Sequence, residues 1–379
     1  MQSDPTDVVD FELDSTLRRK LVEAAIRAPS GDNCQPWYFR FQGNRVEIDL
    51  VPHRAESFFD FRHRGSFLSV GAVVENIRVQ AACLSLELAV SYPGGEVRGV
   101  PAASACLRKR TPADNSCHAL LAALRGRTVN RRPFLPFRIA AENKQAWSAQ
   151  PIGATEVTII EDRHEIARWA RLAYLGDCVR WTHPQIHREL FAKILFSTTE
   201  AESKREGLEI DRLGAGPAAA AIMRYLASWK RMERLSSWGI DRLLASQTRA
   251  LALCAGALVL ITIRDHGAAQ WIQAGEQVQR LWIAAQKQGL CVQPLPVAMY
   301  LDQRYQEEGT ENFLPKHKPL LDAMRGGFAE LLGDRVGAML YRVGYGLRMS
   351  GPAVRLSVEC FYDPADGERS DNGSSSLFR

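Results

Sequence analysis

The sequence lacks the features that mark secreted, membrane-spanning and zinc-binding proteins. Its eight cysteines form no CxxC pair, and this spacing favours free thiols in a reducing compartment over disulfides or a metal centre. The longest apolar stretch, near 254–263, is about half the length needed to cross a bilayer. The first residues are acidic and polar, unlike a signal peptide. These absences predict a cytoplasmic protein with no metal and no membrane partner.

The sequence also has only a small excess of positive over negative charge. The 48 Lys and Arg residues and 43 Asp and Glu residues leave a net charge of +5 over 379 residues. This suits a small anionic ligand but is far from the charge density of a dedicated nucleic-acid binder. Hydrophobic residues make up 46% of the chain, so a sizeable core can form, and the length allows about two domains. We expect no nucleic-acid partner.

Hydrophobic periodicity predicts an α+β chain with two series of elements. The first series contains a helix capped by Asp14 or Ser15 (14–28), two strands (37–41 and 46–51), a buried helix (66–86), a strand (88–92) and a linker (93–116). The second contains helices near 118–125, 140–148, 163–176, 268–288 and 318–332, and strands at 156–161, 257–263 and 338–344. The segment 180–250 reads as an irregular helical insertion, and 363–379 as a disordered tail.

The two long apolar helices form a faint internal repeat at an offset of 204 residues. Gly71 matches Gly275, Val74 matches Val278, and the matches continue to Leu86 and Leu290. Two unrelated amphipathic helices could match this well by chance. If the repeat is real, two copies indicate a fused dimer. The domains would then be 1–116 and 117–362, the second carrying the insertion.

A polar loop follows the first helix, at 28–37. Ser30, Asn33 and Gln35 offer groups that can donate and accept hydrogen bonds, which suits a ligand with both kinds of partner. Pro29 and Pro36 stiffen the loop and lower the cost of ordering it on binding. The alternative is an ordinary capped turn.

A basic loop lies at 127–134. Arg127, Arg131 and Arg132, with Asn130 among them, can bind phosphate because a guanidinium fork matches two phosphate oxygens. The alternative is a solvated basic loop or part of a nucleic-acid patch. No aromatic residues interleave with these arginines, which disfavours the nucleic-acid reading.

Two further segments give weaker signals of a ligand site. Residues 289–296 follow a repeat helix, where Gly289 suits a helix C-terminus and the next backbone can present N–H groups. Residues 342–355 form a strand and a basic turn ending at Arg355. Each has a plain alternative: a helix cap for the first, surface arginines for the second.

Taken in order along one chain, the four segments resemble the nitroreductase family. Segment 28–37 resembles its flavin-contacting loop, and 127–134 its phosphate motif, with Asn130 where Ser is usual. Segment 289–296 resembles the part beside the flavin ring, and 342–355 the closing element. The resemblance covers roughly 14–360 apart from 180–250. It looks closest to the single-chain tandem branch, which includes flavin-binding proteins linked to mycobacterial dormancy and the nitroreductase-like part of ThiF-fused proteins.

The resemblance implies a nitroreductase-like fold of two pseudo-symmetric halves, each with a mostly antiparallel sheet flanked by helices. In the family two subunits share each flavin. Here the first half has only the polar loop and the second only the arginine motif, which implies one FMN site in a monomer that mimics the family dimer. Because Pro296 lacks an N–H, either Leu295 or Val297 would donate to the reactive flavin nitrogen, or that nitrogen would have no backbone donor. The implied cofactor-binding residues are Pro29, Ser30, Asn33, Gln35, Arg127, Asn130, Arg131, Arg132, Pro294, Leu295, Val297 and Arg355.

The implied activity is transfer of a hydride from NAD(P)H to flavin and on to a nitroaromatic, a quinone or a similar small acceptor. No particular side chain is implied as catalytic. A non-catalytic protein that binds and sequesters FMN is the alternative. The insertion 180–250 is either a lid over the flavin or a packing subdomain that covers the edge left by a lost second site.

Overall fold

The computed structural model describes residues 11–94, 100–110, 116–148, 151–214, 216–349 and 351–364. The predicted disordered tail lies outside the described residues from 365 onward. The first half contains α1 (Ser15–Ala25), β1 (Trp37–Gln42), β2 (Arg45–Leu50), α2 (Pro52–Ala55), α3 (Arg64–Cys83), β3 (Leu86–Ser91) and β4 (Ala103–Lys109).

The second half is longer because it includes the helical insertion. From its start to the end of the insertion, its elements are α4 (Ser116–Gly126), α5 (Ala141–Ser148), β5 (Glu156–Ile160), α6 (Arg163–Thr182), α7 (Pro184–Lys193), β6 (Ile194–Leu195), α8 (Thr198–Lys204), β7 (Leu208–Glu209), α9 (Pro217–Leu226), α10 (Trp229–Ser236) and α11 (Ile240–Leu253). The remainder are β8 (Ala257–Ile263), α12 (Ala268–Lys287), β9 (Cys291–Pro294), α13 (Val297–Glu308), α14 (Lys318–Leu332) and β10 (Val336–Gly344).

Each half has a four-stranded antiparallel sheet, and the two sheets share one topology. The strand orders are β1-β2-β4-β3 and β5-β8-β10-β9. When the strands are numbered within each four-stranded sheet, both orders are first, second, fourth, third. In both halves a 20-residue helix, α3 or α12, joins the second strand to the third. The predicted α+β fold of two similar halves with antiparallel sheets is therefore confirmed.

The prediction of a linker at 93–116 was wrong. Strand β4 lies within this stretch and pairs with β2 on one side and β3 on the other. Its residues are mostly Ala, Ser and Cys, which have little intrinsic preference for strands, but burial between two neighbours decides the outcome. Both ends of the stretch, 95–99 and 111–115, lie outside the described residues. Helix α13 was also not predicted.

Helices α3 and α12 cross at the centre of the molecule. A Cβ atom added to Gly71 would lie 1.8 Å from the carbonyl oxygen of Ile272, and one added to Gly275 would lie 2.1 Å from that of Leu68. These two contacts are related by the same 204-residue offset as the sequence repeat. The repeat therefore corresponds to a pseudo-twofold contact between the two helices, which only glycine permits.

The C-terminal segment returns from the second half to the first. The N–H of Phe39 donates to the carbonyl of Phe361 at 2.8 Å. The rings of Phe361 and Tyr362 pack near Trp37 and Phe41. The C-terminal segment therefore binds the two halves together, and the boundary near 116 stays a prediction. In the described residues no helix combines the length and hydropathy needed to cross a membrane.

The close approach of the two helices can be tested by adding a single methyl group. Gly71→Ala should lower the free energy of unfolding by at least about 2 kcal/mol, because the new methyl group meets a backbone carbonyl that cannot rotate away. Urea denaturation measures this loss. Gly326→Ala is the control, since that exposed helical position has nothing within 4 Å of an added Cβ. Equal losses in both variants would contradict the crossing geometry.

Candidate functional site

The polar loop after α1 adopts a strained conformation. Asp32, Asn33 and Gln35 have φ angles of 47°, 57° and 52°, a left-handed region that non-glycine residues rarely occupy. The Ser30 hydroxyl accepts a hydrogen bond from the N–H of Gln35 at 3.0 Å, and Pro29 precedes it. Such strain persists only where surrounding contacts hold the loop, and it is common at ligand sites.

Gln35 holds the loop to two other parts of the chain. Its side chain is fully buried. The amide nitrogen donates to the carbonyl of Arg205 at 2.9 Å, and the amide oxygen accepts from the N–H of Leu356 at 3.1 Å. Both ends of the amide already have protein partners. Gln35 therefore holds the loop in position and is not a candidate to contact a ligand through its side chain.

Asn33 differs because one end of its amide has no partner. Its nitrogen donates to the carbonyl of Val354 at 3.1 Å. Its oxygen is buried and accepts no hydrogen bond from the described residues. A buried acceptor without a partner is costly, so this oxygen is a candidate to accept from a bound molecule.

Four arginines gather beside this loop. We call Arg27, Arg127, Arg212 and Arg355 the arginine cluster. The guanidinium of Arg355 donates to the carbonyls of Ile26 and Ala28 at 2.8 and 3.0 Å, and that of Arg127 donates to the carbonyl of Arg27 at 2.9 Å. The cluster therefore lies at the C-terminal end of α1 and contains residues from the first half, the second half and the insertion.

Very little negative charge balances the arginine cluster. Among the described residues, the one carboxylate paired with it is that of Glu209, 2.8 Å from Arg212. Burial lowers the pKa of Arg127 to about 10, and the charge of Arg27 adds to this shift. Burial and the charges of the other three arginines lower the pKa of Arg355 well below its usual range. Clustered cations of this kind fit an anionic ligand.

The two remaining arginines of the basic loop lie in different surroundings. Arg131 lies close to the cluster, since its guanidinium donates to the carbonyl of Arg212 at 3.1 Å. Burial lowers its pKa to about 10, although the charge of Asp32 opposes the shift. Arg132 is exposed, and its guanidinium contacts the carbonyl of Arg348 at 3.4 Å. The structure does not bring Arg132 into the cluster.

Asn130 and Arg342 hold the basic loop in place. The side-chain nitrogen of Asn130 donates to the carbonyl of Leu347 at 2.8 Å, and its oxygen accepts from the N–H of Arg132. Arg342 is fully buried in β10 and donates to the carbonyls of Asn130 and Arg132 at 3.2 and 2.7 Å. The plain alternative for 342–355, surface arginines, does not apply to Arg342, which is buried because the loop carbonyls satisfy it.

The third predicted segment forms the end of a strand and the start of a helix. Pro294 pairs with Tyr341 in the second sheet. The N–H of Leu295 donates to the carbonyl of Leu340 at 2.7 Å, so Leu295 has no spare donor. Val297 begins α13, where a first-turn N–H has no carbonyl partner within its helix. Of the two backbone donors expected from the sequence, Val297 alone lies at such an open position.

Part of the insertion covers the loop and the cluster. Besides the contacts of Arg205 and Arg212 already given, Glu209 accepts from the N–H of Val354 at 3.3 Å. Arg212 also donates to the carbonyl of Gly351 at 2.7 Å. We call residues 205–214 the covering segment. Arg212 was missed from the sequence because nothing in the insertion resembles a motif, and Arg27 was missed although it directly precedes the polar loop.

The cavities described do not coincide with the arginine cluster. One of about 160 Å³ lies between α13, α14 and β10 and includes Asp302 and Arg325 among its lining residues. Another of about 20 Å³ is lined by residues that include Asn130 and Cys291. The cluster and the unpaired oxygen of Asn33 identify the candidate site on electrostatic and hydrogen-bonding grounds.

Comparison with curated proteins gives one relevant match. No protein-family profile matches the chain. An uncharacterized protein of Mycobacterium tuberculosis is 28% identical over 292 residues, which is 75% of this chain and 39% of that protein. The chain thus spans about two fifths of the length of the curated relative it matches.

The solved structures that resemble the chain include several nitroreductases. A putative nitroreductase from Anabaena variabilis is 10% identical, with a TM-score of 0.43 and coverage of 92% of this chain and 90% of that one. The FMN-dependent nitroreductase NfnB of Mycobacterium smegmatis, in complex with NADPH, is 16% identical, with a TM-score of 0.30 and coverages of 61% and 89%. A nitroreductase from Desulfitobacterium hafniense with bound FMN is 13% identical, with a TM-score of 0.32 and coverages of 62% and 93%. Because these identities and TM-scores are low, the interpretation of the site depends on the geometry of this chain.

The arginine cluster predicts stabilisation by a simple anion. Inorganic phosphate at ten times its dissociation constant should raise the free energy of unfolding by about 1.4 kcal/mol over chloride at equal ionic strength. Thermal unfolding measures this gain. Arg27→Gln should reduce it, because Arg27 forms no ion pair with the described residues and is available to an anion. Arg168→Gln, which removes a surface pair with Glu330, is the control. A gain that is the same in all three proteins would contradict an anion site here.

Proposed function

We propose that this chain is an FMN-binding oxidoreductase of the nitroreductase type. The observation that carries the proposal is the arginine cluster, whose four charges have one paired carboxylate among the described residues and whose members come from both halves. A phosphate group supplies the missing negative charge, and guanidinium groups are its best-matched partners in proteins. The order of the four segments along the sequence resembles that of the nitroreductase family, and this resemblance favours FMN as the ligand that carries the phosphate.

The residues of the site fit distinct parts of such a ligand. Arg27, Arg127 and Arg355 would bind the phosphate. The unpaired oxygen of Asn33 would accept from a hydroxyl or ring N–H, which explains why it is buried without a protein partner. Ser30 keeps the loop in its left-handed conformation, and the N–H of Val297 is the candidate backbone donor toward the ring.

When bound, FMN would supply the hydride-accepting ring, with NAD(P)H as donor and a nitroaromatic, a quinone or a similar small molecule as acceptor. The contribution of the chain is electrostatic. Buried cations stabilise negative charge that develops on a nearby ring far better than solvated ones do. The covering segment would exclude water and limit which acceptors enter.

A second candidate function is storage of FMN without turnover. The covering segment favours it, because it contacts the polar loop through Arg205 and the basic loop through Arg212. The engaged N–H of Leu295 also removes one of the two backbone donors expected beside the ring. A closed site with few donors would hold the ligand and slow its reactions.

The single arginine cluster also sets the proposed stoichiometry. The first half contributes Arg27 and the polar loop, while the second contributes Arg127 and Arg355. Since neither half contains both sets, we propose one FMN per chain and a monomer that performs the role of a two-subunit enzyme. The proposed flavin site includes no metal, and the proposed function includes no membrane or nucleic-acid partner.

FMN binding is tested by titration with fluorescence detection. The chain should bind one equivalent, and Arg27→Gln should weaken the affinity about ten- to hundredfold, as expected for loss of a hydrogen bond to a charged group. Arg132→Gln is the matched control from the basic loop, because Arg132 is exposed and outside the cluster. Thermal unfolding without FMN shows whether each variant is folded.

Two outcomes would oppose the assignment. A wild-type protein that binds no FMN at concentrations well above those usual for flavoproteins rejects the proposed cofactor. Equal weakening by Arg27→Gln and Arg132→Gln keeps the cofactor but rejects this phosphate site.

Enzyme and storage functions are separated by steady-state oxidation of NAD(P)H with the flavin-loaded protein. The enzyme reading predicts oxidation that accelerates when a nitroaromatic or quinone is added. Storage predicts no turnover above that of free FMN. Gln35→Ala provides the structural check, since it removes the contact with Arg205. If closure of the covering segment limits the rate, this variant should turn over faster and lose FMN sooner.

A further inference from the structure

Three side chains of the types that bind metal ions meet between α3 of the first half and α4 of the second. Cys83 is the last residue of α3, and Cys117 and His118 lie in the first turn of α4. Their ligand atoms all lie within 4.8 Å of one another. The sequence pattern did not reveal this group, because the two cysteines are far apart along the chain and meet only when the helices pack.

The spacing of these atoms is close to that of a coordination sphere. In a tetrahedral zinc site with Zn–S bonds of about 2.3 Å, neighbouring sulfur ligands lie about 3.8 Å apart. Atoms already within 4.8 Å reach that spacing by side-chain movements of about 1 Å. Two thiolates and one imidazole are also the ligand types that zinc prefers.

The surroundings favour a structural role for the bound ion. Cys83 lies against a small apolar cluster that includes Val79 of α3, Leu121 and Leu124 of α4, and Ile283 of α12. An ion held from both α3 and α4 would fix this three-helix junction. It would also fix α4, which leads directly into Arg127 of the arginine cluster.

We propose that Cys83, Cys117 and His118 bind one zinc ion, with water in the fourth position. Binding requires the thiols to lose their protons, which the cation makes favourable, and the first turn of a helix favours the negative charge on Cys117. The ion links α3 of the first half to α4, the first helix of the second. This site is separate from the proposed flavin site and does not depend on it.

Zinc affinity is measured by competition with a chromophoric chelator, using full-length protein first stripped with EDTA. The wild type should take up one equivalent of Zn²⁺, and Co²⁺ should give the difference spectrum of a tetrahedral thiolate site. Cys117→Ser should abolish uptake, and His118→Ala should weaken it more than tenfold. His118 is exposed, so its replacement leaves the packing intact. Cys254→Ser and Cys360→Ser, at exposed cysteines, are the controls.

The expected zinc effect extends to stability. Zn²⁺ at ten times the wild-type dissociation constant should raise the unfolding temperature of the wild type and of both control variants clearly more than that of His118→Ala. Failure of the wild type to compete for zinc overturns the proposal. So does equal uptake by His118→Ala and the wild type. A mass lower by two hydrogens, lost together from Cys83 and Cys117, also overturns it by showing a disulfide.

Discussion

The close crossing of α3 and α12 is the constraint on which the rest of the structure depends. Gly71 and Gly275 let the backbones meet, and each helix joins the second and third strands of its own sheet. The position of the crossing therefore fixes both sheets relative to each other. Glu75 pairs with Arg280 at 2.9 Å, and Glu276 with Arg78 at 2.6 Å, so the buried charges at the crossing are matched in pairs. Such matching fixes the register of the helices as well as their distance.

Charge pairing at this central contact differs sharply from that at the candidate site. At the crossing each buried carboxylate has an arginine, and removing one partner would leave an isolated buried charge. In the arginine cluster, Arg27, Arg127 and Arg355 have no paired carboxylate within the described residues, and carbonyl dipoles hold two of them. Within the part of the chain that the structure describes, carbonyls also hold the buried Arg342 without a carboxylate. The cluster differs because several such cations lie together, and this accumulation of positive charge supports the proposed anionic ligand.

The sequence predicted the long periodic elements well, because hydrophobic spacing alone determines them. Strand β8 was predicted with its observed ends at 257 and 263, and α1 begins after the Asp14 cap. Strand β4 was missed because its pairing comes from distant strands and its residues are poor strand formers. In the candidate site, Arg127 and the polar loop could be chosen from motif order, and the structure brings them together. Arg27 and Arg212 could not, since only the folded chain shows that their charges lie close together. The role of Arg342 was not predicted, because an arginine in a strand gives no sign that loop carbonyls will bury it.

The contacts that keep the arginine cluster intact without a ligand also govern how a ligand would leave. Arg355 and Arg127 are positioned by carbonyls at the end of α1, so an anion can bind to their remaining N–H groups without rebuilding the site. The covering segment is different, because Arg212 contributes a cation to the cluster while its own carbonyl accepts from Arg131. An anion that drew Arg212 inward would therefore pull the covering segment with it, and its release would require both interactions to break. The strength of this coupling, rather than the presence of the arginines, would determine whether the proposed site exchanges its ligand or retains it.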